Sequence, residues 1–212
     1  NKLLALVGEF APGVNPWQAA QYAADPVPDA SLYSAVKRGI DLVAAVAVVL
    51  FLGWAMLLTA IYVRFDSKGP AIFAQPRVGR HGRIFTCYKF RTMAVGTVQT
   101  GTHEVGAAVI TKAGGFLRRT KLDELPQVWN VFRNEMSLVG PRPCLPMQTE
   151  LIAERKARGV LDLKPGITGL AQINEIDMSI PARLAAWDDR YGAFRTLVRT
   201  LLGGGAGDRV AA

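Results

Sequence analysis

The chain has 212 residues, half of them hydrophobic, and a formal net charge of +8. That length suits one soluble domain together with a membrane element. Cys87 and Cys144 are the only cysteines, which excludes a disulfide scaffold, and their distance from His81 and His103 gives no zinc-ligand spacing.

The charge is uneven along the chain. Residues 1–36 carry Lys2 against Glu9, Asp25 and Asp29, a net of −2, so residues 37–212 carry +10. A basic body beside an apolar segment points to anionic lipid or phosphate ligands, and no nucleic-acid-binding pattern is present. Pro12, Pro16, Pro26 and Pro28 make residues 1–36 an irregular extension, with short helices predicted around Leu3–Phe10 and Trp17–Ala23. The extension lacks the basic start, apolar core and cleavage site of a signal peptide.

From Leu42 to Val63 no residue is charged, and these 22 residues are long enough as a helix to cross a hydrocarbon core. Both flanks are basic: Lys37 and Arg38 precede the segment, and Arg64 and Lys68 follow it. The positive-inside tendency therefore puts both ends on the cytoplasmic side. A helix that dips in, bends and returns satisfies this; a spanning helix with the acidic extension outside is the competing arrangement. Asp41 must stay at headgroup level or pair with a cation, and Arg38, one turn earlier, is the expected partner.

Residues 70–93 are predicted to form a hairpin and a loop, with strands at Ala71–Ala74 and Ile84–Phe90 and a turn at Gly79 and Gly82. Arg77, Arg80, Arg83, Arg91 and Lys89 crowd this hairpin, which suits a solvated basic face and a phosphate-facing surface equally. Residues 94–115 have no clear period and are expected to form a loop over the site.

In Arg118-Arg119-Thr120-Lys121-Leu122-Asp123-Glu124-Leu125-Pro126-Gln127, two adjacent carboxylates stand just behind three cations. The apolar stripe Val128, Trp129, Val131 and Phe132 predicts a helix to about Glu135 with Asp123 at its N-cap. Such a helix end suits a phosphate, and Arg118 and Arg119 add donors. A carboxylate there is a nucleophile or a magnesium ligand; an acidic cap with solvated arginines is the simpler alternative. Gly140-Pro141-Arg142-Pro143 is a stiff turn that aims Arg142 in one direction.

Gln148–Arg158 reads as an exposed helix of mixed charge. In the turn-rich run Lys164–Asn174, Thr168 and Gln172 suit a polar ligand. Tyr191, Phe194, Leu197, Val198, Leu201 and Leu202 recur at helical spacing with Arg195 and Arg199 between them. This basic amphipathic helix fits a membrane surface or the domain core. Gly203-Gly204-Gly205 ends it, leaving 203–212 as a flexible tail.

Several of these segments recur as motifs in a fixed order. They are Lys37-Arg38-x-x-Asp41, Gly69-Pro70, Phe73-x-Gln75-x-Arg77-x-Gly79, Lys89-Phe90-Arg91-Thr92-Met93 and Leu117 to Gln127, then Met136 to Pro143 and Pro165-Gly166-Ile167-Thr168-Gly169. Together they resemble the bacterial sugar transferase family, the monotopic phosphoglycosyl transferases that start glycoconjugate assembly on polyprenyl phosphate. The resemblance implies transfer of a sugar phosphate from a nucleotide diphosphate sugar, usually a uridine one, with release of the nucleoside monophosphate. It implies that Asp123 and Glu124 form a catalytic and metal-holding dyad with Mg2+. Substrate contacts are expected from Arg118, Arg142, Lys89, Arg91, Gln127, Thr168 and Gln172. Lys37, Arg38, Asp41, Gly53 and Trp54 are the expected membrane residues, at the cytoplasmic face of a bacterial inner membrane among phospholipids; a homo-oligomer is left open.

Three positions depart from the family pattern. Gly53-Trp54 stands where a Ser-Pro pair often bends the re-entrant helix, although glycine also permits a kink. Lys121 replaces a common Ser, and Glu175-Ile176 replaces Gly-Arg. The expected fold is α/β, mostly helical with a small hairpin: an extension at 1–36, a re-entrant helix at 37–65, a catalytic domain at 66–202 and the tail. No separate nucleotide-binding or multi-span region is expected, as in the small subclass or the core of a larger member. A non-enzymatic, membrane-docked basic module is the rival; it explains the charge but not the paired acids.

Overall fold

The computed structural model describes residues 32–97, 110–176 and 179–201. The two short helices expected before Leu32 and the tail lie outside these residues. The described chain is mostly helical, with two small sheets. Helix α1 (Leu32–Asp66) runs through Gly53 and Trp54 as one helical segment and buries only Asp41, Ala45, Thr59 and Val63. A helix of a soluble domain turns its apolar stripe inward. Here Leu50 and Phe51 are 72% and 74% exposed, which matches lipid as the solvent. The Trp54 indole N–H donates to the Phe51 carbonyl (2.8 Å), so it is satisfied without water.

Strands β1 (Ile72–Val78) and β2 (Ile84–Phe90) pair antiparallel in a register running from Ile72 opposite Phe90 to Val78 opposite Ile84. The first strand is longer than the expected Ala71–Ala74. A 3-10 turn at Arg80–Gly82 joins the strands, with His81 and Gly82 at φ 56° and 71°. Phe85 and Cys87 pack with Ala45 of α1 and with Val128, Val131 and Met136, while Phe90 packs with Val63, Ala113 and Leu117. The hairpin thus sits between α1 and residues 113–136.

Helix α2 (Lys112–Thr120) starts inside the segment expected to be loop. Thr111 caps it by accepting from Gly114 N (3.0 Å), and a bridge between Met93 and Ile110 closes the excursion before it. A Cβ on Gly114 would lie 2.0 Å from the Thr92 carbonyl, so glycine allows α2 to press against that strand end. A 3-10 segment (Leu122–Gln127) and helix α3 (Val128–Phe132) follow. Helix α3 stops short of the expected Glu135. The Asn130 amide draws in the Thr86 carbonyl (2.6 Å) and Glu135 Oε2 (2.8 Å), and Asn134 takes the left-handed region at φ 64°.

Strands β3 (Ser137–Val139) and β4 (Gly166–Thr168) pair in parallel. Helix α4 (Thr149–Ala157) is not the exposed helix expected: Leu151, Ile152 and Arg155 are buried against Leu184, Ala185 and Asp188 of helix α6 (Pro181–Leu201). Helix α5 (Leu170–Ile173) contributes Ala171 to the same core. Arg155 and Asp188 form a buried ion pair at 2.7 Å, and Arg155 Nη1 also donates to the Arg142 carbonyl (2.9 Å). Burial pushes the Asp188 carboxyl pKa up, with Arg155 opposing it. Removing one partner of such a pair costs about 3–5 kcal/mol.

Both ends of α1 are fastened to this body. Arg38 donates to the Val131 and Phe132 carbonyls (2.6 and 3.0 Å) at the end of α3, the side of the helix dipole that favours a cation. Asp41, only 2% exposed, is therefore not paired with Arg38 as expected. It accepts instead from Lys37 Nζ (2.6 Å), Ser137 Oγ (3.1 Å) and Leu138 N (3.1 Å), and Lys37 also reaches Ser137. At the far end Asp66 accepts from Ala113 N (3.1 Å).

Candidate active site

The chain reverses at Lys121, whose left-handed backbone (φ 59°) ends α2 and heads the 3-10 segment. Asp123 therefore lies within the first turn of that segment and is not the N-cap expected for it. The free N–H groups of a long helix are not offered at this point, and the cationic surroundings come from side chains.

Glu124 is the hub. Its Oε1 accepts from Lys89 Nζ of β2 (2.8 Å) and from Arg142 Nη2 of the proline-framed turn (2.7 Å). Burial by itself would raise the Glu124 pKa, but the two hydrogen-bonded cations overcome it and hold the group at about 2. Burial also lowers the Lys89 pKa, Arg142 lowers it further, and Glu124 opposes both.

Asp123 is in the opposite condition. Its Oδ1 is buried with no hydrogen-bond partner. Burial pushes its pKa up; Lys89 opposes this, Glu124 adds to it, and Arg118 and Lys121 oppose it more weakly. Two neighbouring carboxylates are thus divided by their surroundings, one satisfied by fixed cations and one with a buried oxygen that has no hydrogen-bond partner.

Asp123 lines a cavity of about 560 Å³ together with Lys89, Arg91, Arg118, Glu124 and Arg142. Arg118 is held there by its Nε bond to Thr92 Oγ1 (3.0 Å). Arg91 donates Nη2 to the Ser67 carbonyl and hydroxyl (2.8 and 2.9 Å), while its Nε and Nη1 are buried without partners. A second cavity of about 840 Å³ adjoins the Lys89–Glu124–Arg142 cluster and contains Thr168 and Gln172 among apolar walls that include Val48 of α1. Gln127, expected to touch substrate, is buried and lines neither cavity.

Arg77 and Lys121 line both cavities and were not among the expected contacts. Arg77 donates to Gln75 Oε1 (2.6 and 3.0 Å) and to the Pro143 carbonyl (3.1 Å), which helps fix the Arg142 turn. The period-2 spacing of Gln75 and Arg77 in β1 was the sequence signal for this role. Thr92 and Arg155 act behind Arg118 and Arg142; Thr92 stands in the Lys89–Met93 motif, whereas no local pattern marks Arg155.

Mg2+ is commonly held by one or two carboxylates and completed by substrate phosphates. Asp123 fits that role, because it lines a cationic cavity and its Oδ1 has no hydrogen-bond partner. Glu124 fits it through Oε2, since both cations bond Oε1. Among the described residues no group of three acid, His or Cys side chains gathers that could hold a metal.

The sequence pattern described as bacterial sugar transferase matches residues 32–201. The chain belongs to the bacterial sugar transferase family. It is 42% identical over 139 residues to the uncharacterized sugar transferase EpsL of Bacillus subtilis (strain 168), covering 66% of this chain and 68% of EpsL. It is 41% identical over 151 residues to the undecaprenyl-phosphate glucose phosphotransferase of Komagataeibacter xylinus, covering 65% of this chain and 27% of that protein. It is 42% identical over 144 residues to the UDP-glucose:undecaprenyl-phosphate glucose-1-phosphate transferase of Escherichia coli (strain K12), covering 66% of this chain and 31% of that protein. The chain thus spans about a third or less of the length of these two named transferases. Asp123 and Glu124 both line the cationic cavity.

Folding lowers the Glu124 pKa from 4.5 to about 2, so its stabilising ion pairs are complete above pH 4.5 and are lost as pH falls towards 2. A carbon-13 NMR titration of the metal-free protein, with Glu124→Gln to assign the signal, should give a midpoint near 2. A midpoint near 4.5 would mean that the two cations do not hold this carboxylate in solution.

Proposed function

We propose that this chain transfers a sugar phosphate from a nucleotide diphosphate sugar, of the uridine class, to polyprenyl phosphate at the cytoplasmic face of the membrane. Asp123 is the nucleophile. The observation that carries this reading is that Asp123 lines a cavity rimmed by Lys89, Arg118 and Arg142, with its buried Oδ1 free of any hydrogen-bond partner, beside a Glu124 already neutralised. The names of the relatives supply the substrate classes, undecaprenyl phosphate and a uridine diphosphate sugar.

In the first step an Asp123 carboxylate oxygen attacks the phosphorus that bears the sugar. A new oxygen–phosphorus bond forms, the bond to the bridging oxygen of the diphosphate breaks, and the nucleoside monophosphate leaves with that electron pair. In the second step a phosphate oxygen of the lipid attacks the same phosphorus, the bond to Asp123 breaks and the carboxylate is restored. Arg118 and Arg142 grip phosphate oxygens with planar guanidinium forks. Lys89 sits in a water-poor wall, where its charge acts over a low dielectric. Asp123 and Glu124 would hold Mg2+ together with the diphosphate, and the ion would supply charge neutralisation between the anionic nucleophile and the anionic donor. The larger, mainly apolar second cavity suits the lipid end of the acceptor, because its walls include a residue of α1.

The same reading takes α1 as re-entrant. Its support is that residues at both ends of the helix contact one body: Lys37, Arg38 and Asp41 reach residues 131–138, and Asp66 reaches Ala113. A crossing helix would separate those two sets of contacts by a hydrocarbon core of about 30 Å.

Release of uridine monophosphate from a panel of uridine diphosphate sugars should need both polyprenyl phosphate and Mg2+ for sustained turnover. Asp123→Asn should abolish it, and Glu124→Gln should weaken it strongly. Turnover of Asp123→Asn at the wild-type rate, or sustained product release without lipid, would point to a different reaction. For topology, a single cysteine at Ala24, with Cys87 and Cys144 replaced by alanine, should resist labelling from the periplasmic side in intact cells. Labelling there would mean that α1 crosses.

A further inference from the structure

A third cavity of about 350 Å³ lies where the start of α1 meets α6 and the chain before β4. Lys37, Arg38, Arg80, Lys164 and Arg195 line it, and among the described lining residues Asp41 is the only carboxylate. Asp41 is already committed to Lys37, Ser137 and Leu138. The bonds of Arg38 go to neutral carbonyls and that of Lys164 goes to the neutral Asn134 amide oxygen, so these charges are held in place without being cancelled. Arg195 stacks over the Tyr33 ring at 5.7 Å. The Lys164 pKa is lowered: burial is the largest cause, repulsion from Arg38 and Arg80 adds to it, and Asp41 opposes it. An anion placed here would relieve that repulsion.

The position of the cavity identifies the anion. The cavity stands beside Lys37 and Asp41, directly before the charge-free run that begins at Leu42. Val36, Ile40 and Val43 lie on one face of the same helix stretch and are exposed. A headgroup phosphate in the cavity would leave acyl chains free to lie along that face.

We infer that this cavity is a binding site for one anionic phospholipid, whose phosphate sits among Arg38, Lys164 and Arg195 and whose chains cover Val36, Ile40 and Val43. The site is separate from the Asp123 cavity, with which it shares no lining residue. The inference therefore does not depend on the transferase reading. The bound lipid fixes the start of α1 at the headgroup plane, where Lys37 and Asp41 need to be.

The test is native mass spectrometry of the protein in neutral detergent, with phosphatidylglycerol and phosphatidylcholine of matched chains added in turn. One phosphatidylglycerol should be retained under conditions that strip phosphatidylcholine. The double variant Lys164→Gln with Arg195→Gln should weaken that retention roughly tenfold or more. Lys164→Arg, which keeps the charge, should preserve it, and Arg118→Gln at the other cavity should leave it unchanged. Four results would overturn the assignment. One is equal retention of both lipids, as would follow if Asp25 or Asp29 of the chain itself filled the cavity. Another is undiminished retention by the double variant. Displacement of the lipid by millimolar inorganic phosphate would mean that the site reads free phosphate. Loss in Arg118→Gln alone would place the lipid in the Asp123 cavity.

Discussion

Glu124 accepts from Lys89 and Arg142 on a single oxygen, and this small cluster ties together three parts of the chain that are distant in sequence. Lys89 comes from the hairpin, Glu124 from the 3-10 segment after α2, and Arg142 from the turn that follows β3. Separating the cluster would leave charges in a poorly solvated wall, which is far more costly than losing an exposed pair. Its supports are equally specific. Arg155, itself bonded to Asp188, holds the Arg142 carbonyl, and Arg77 holds the Pro143 carbonyl. The cluster therefore both closes the fold and sets the charge state of the cavity. Because Glu124 is satisfied there, the adjacent Asp123 is the carboxylate left without a partner.

The membrane helix is bound to the same framework by a second polar cluster. Asp41 would be costly near the hydrocarbon boundary without compensation. Three donors compensate it, two of them from β3, so the charge also fixes where α1 leaves the catalytic body. Arg38 then closes the end of α3, the short helix that follows the dyad. Few residues lie between α1 and Asp123. A lipid-borne acceptor phosphate needs such a connection, because its height above the bilayer is fixed by its tail.

The elements legible in the sequence were those written in composition and period. A charge-free run named α1, and the aromatic and β-branched Ile84–Phe90 named the second strand. The adjacent acids behind a basic run marked the dyad. The proline frame of Arg142 gave its stiffness, but not its anchor. What escaped was decided by tertiary partners. The left-handed turn at Lys121 moved Asp123 from an N-cap into a 3-10 turn, because the chain must reverse there to bring Glu124 to Lys89. Arg38 and Lys37 both lie about one turn from Asp41, so spacing could not choose between them; the α3 carbonyls claimed Arg38. Arg155 looked like a surface charge on a mixed helix until Asp188, 33 residues on, buried it. Gln127 stood beside the dyad in sequence, but its side chain turns into the interior.

In the proposed mechanism Asp123 carries the sugar phosphate between donor and acceptor. Intact-protein and peptide mass spectrometry of the enzyme incubated with the donor and Mg2+, but without polyprenyl phosphate, tests this directly. One added sugar-phosphate mass should appear on the peptide containing Asp123, be lost when the lipid is supplied and never form in Asp123→Asn. An enzyme that turns over with lipid but shows no adduct without it, and whose kinetics require both substrates bound at once, would contradict it.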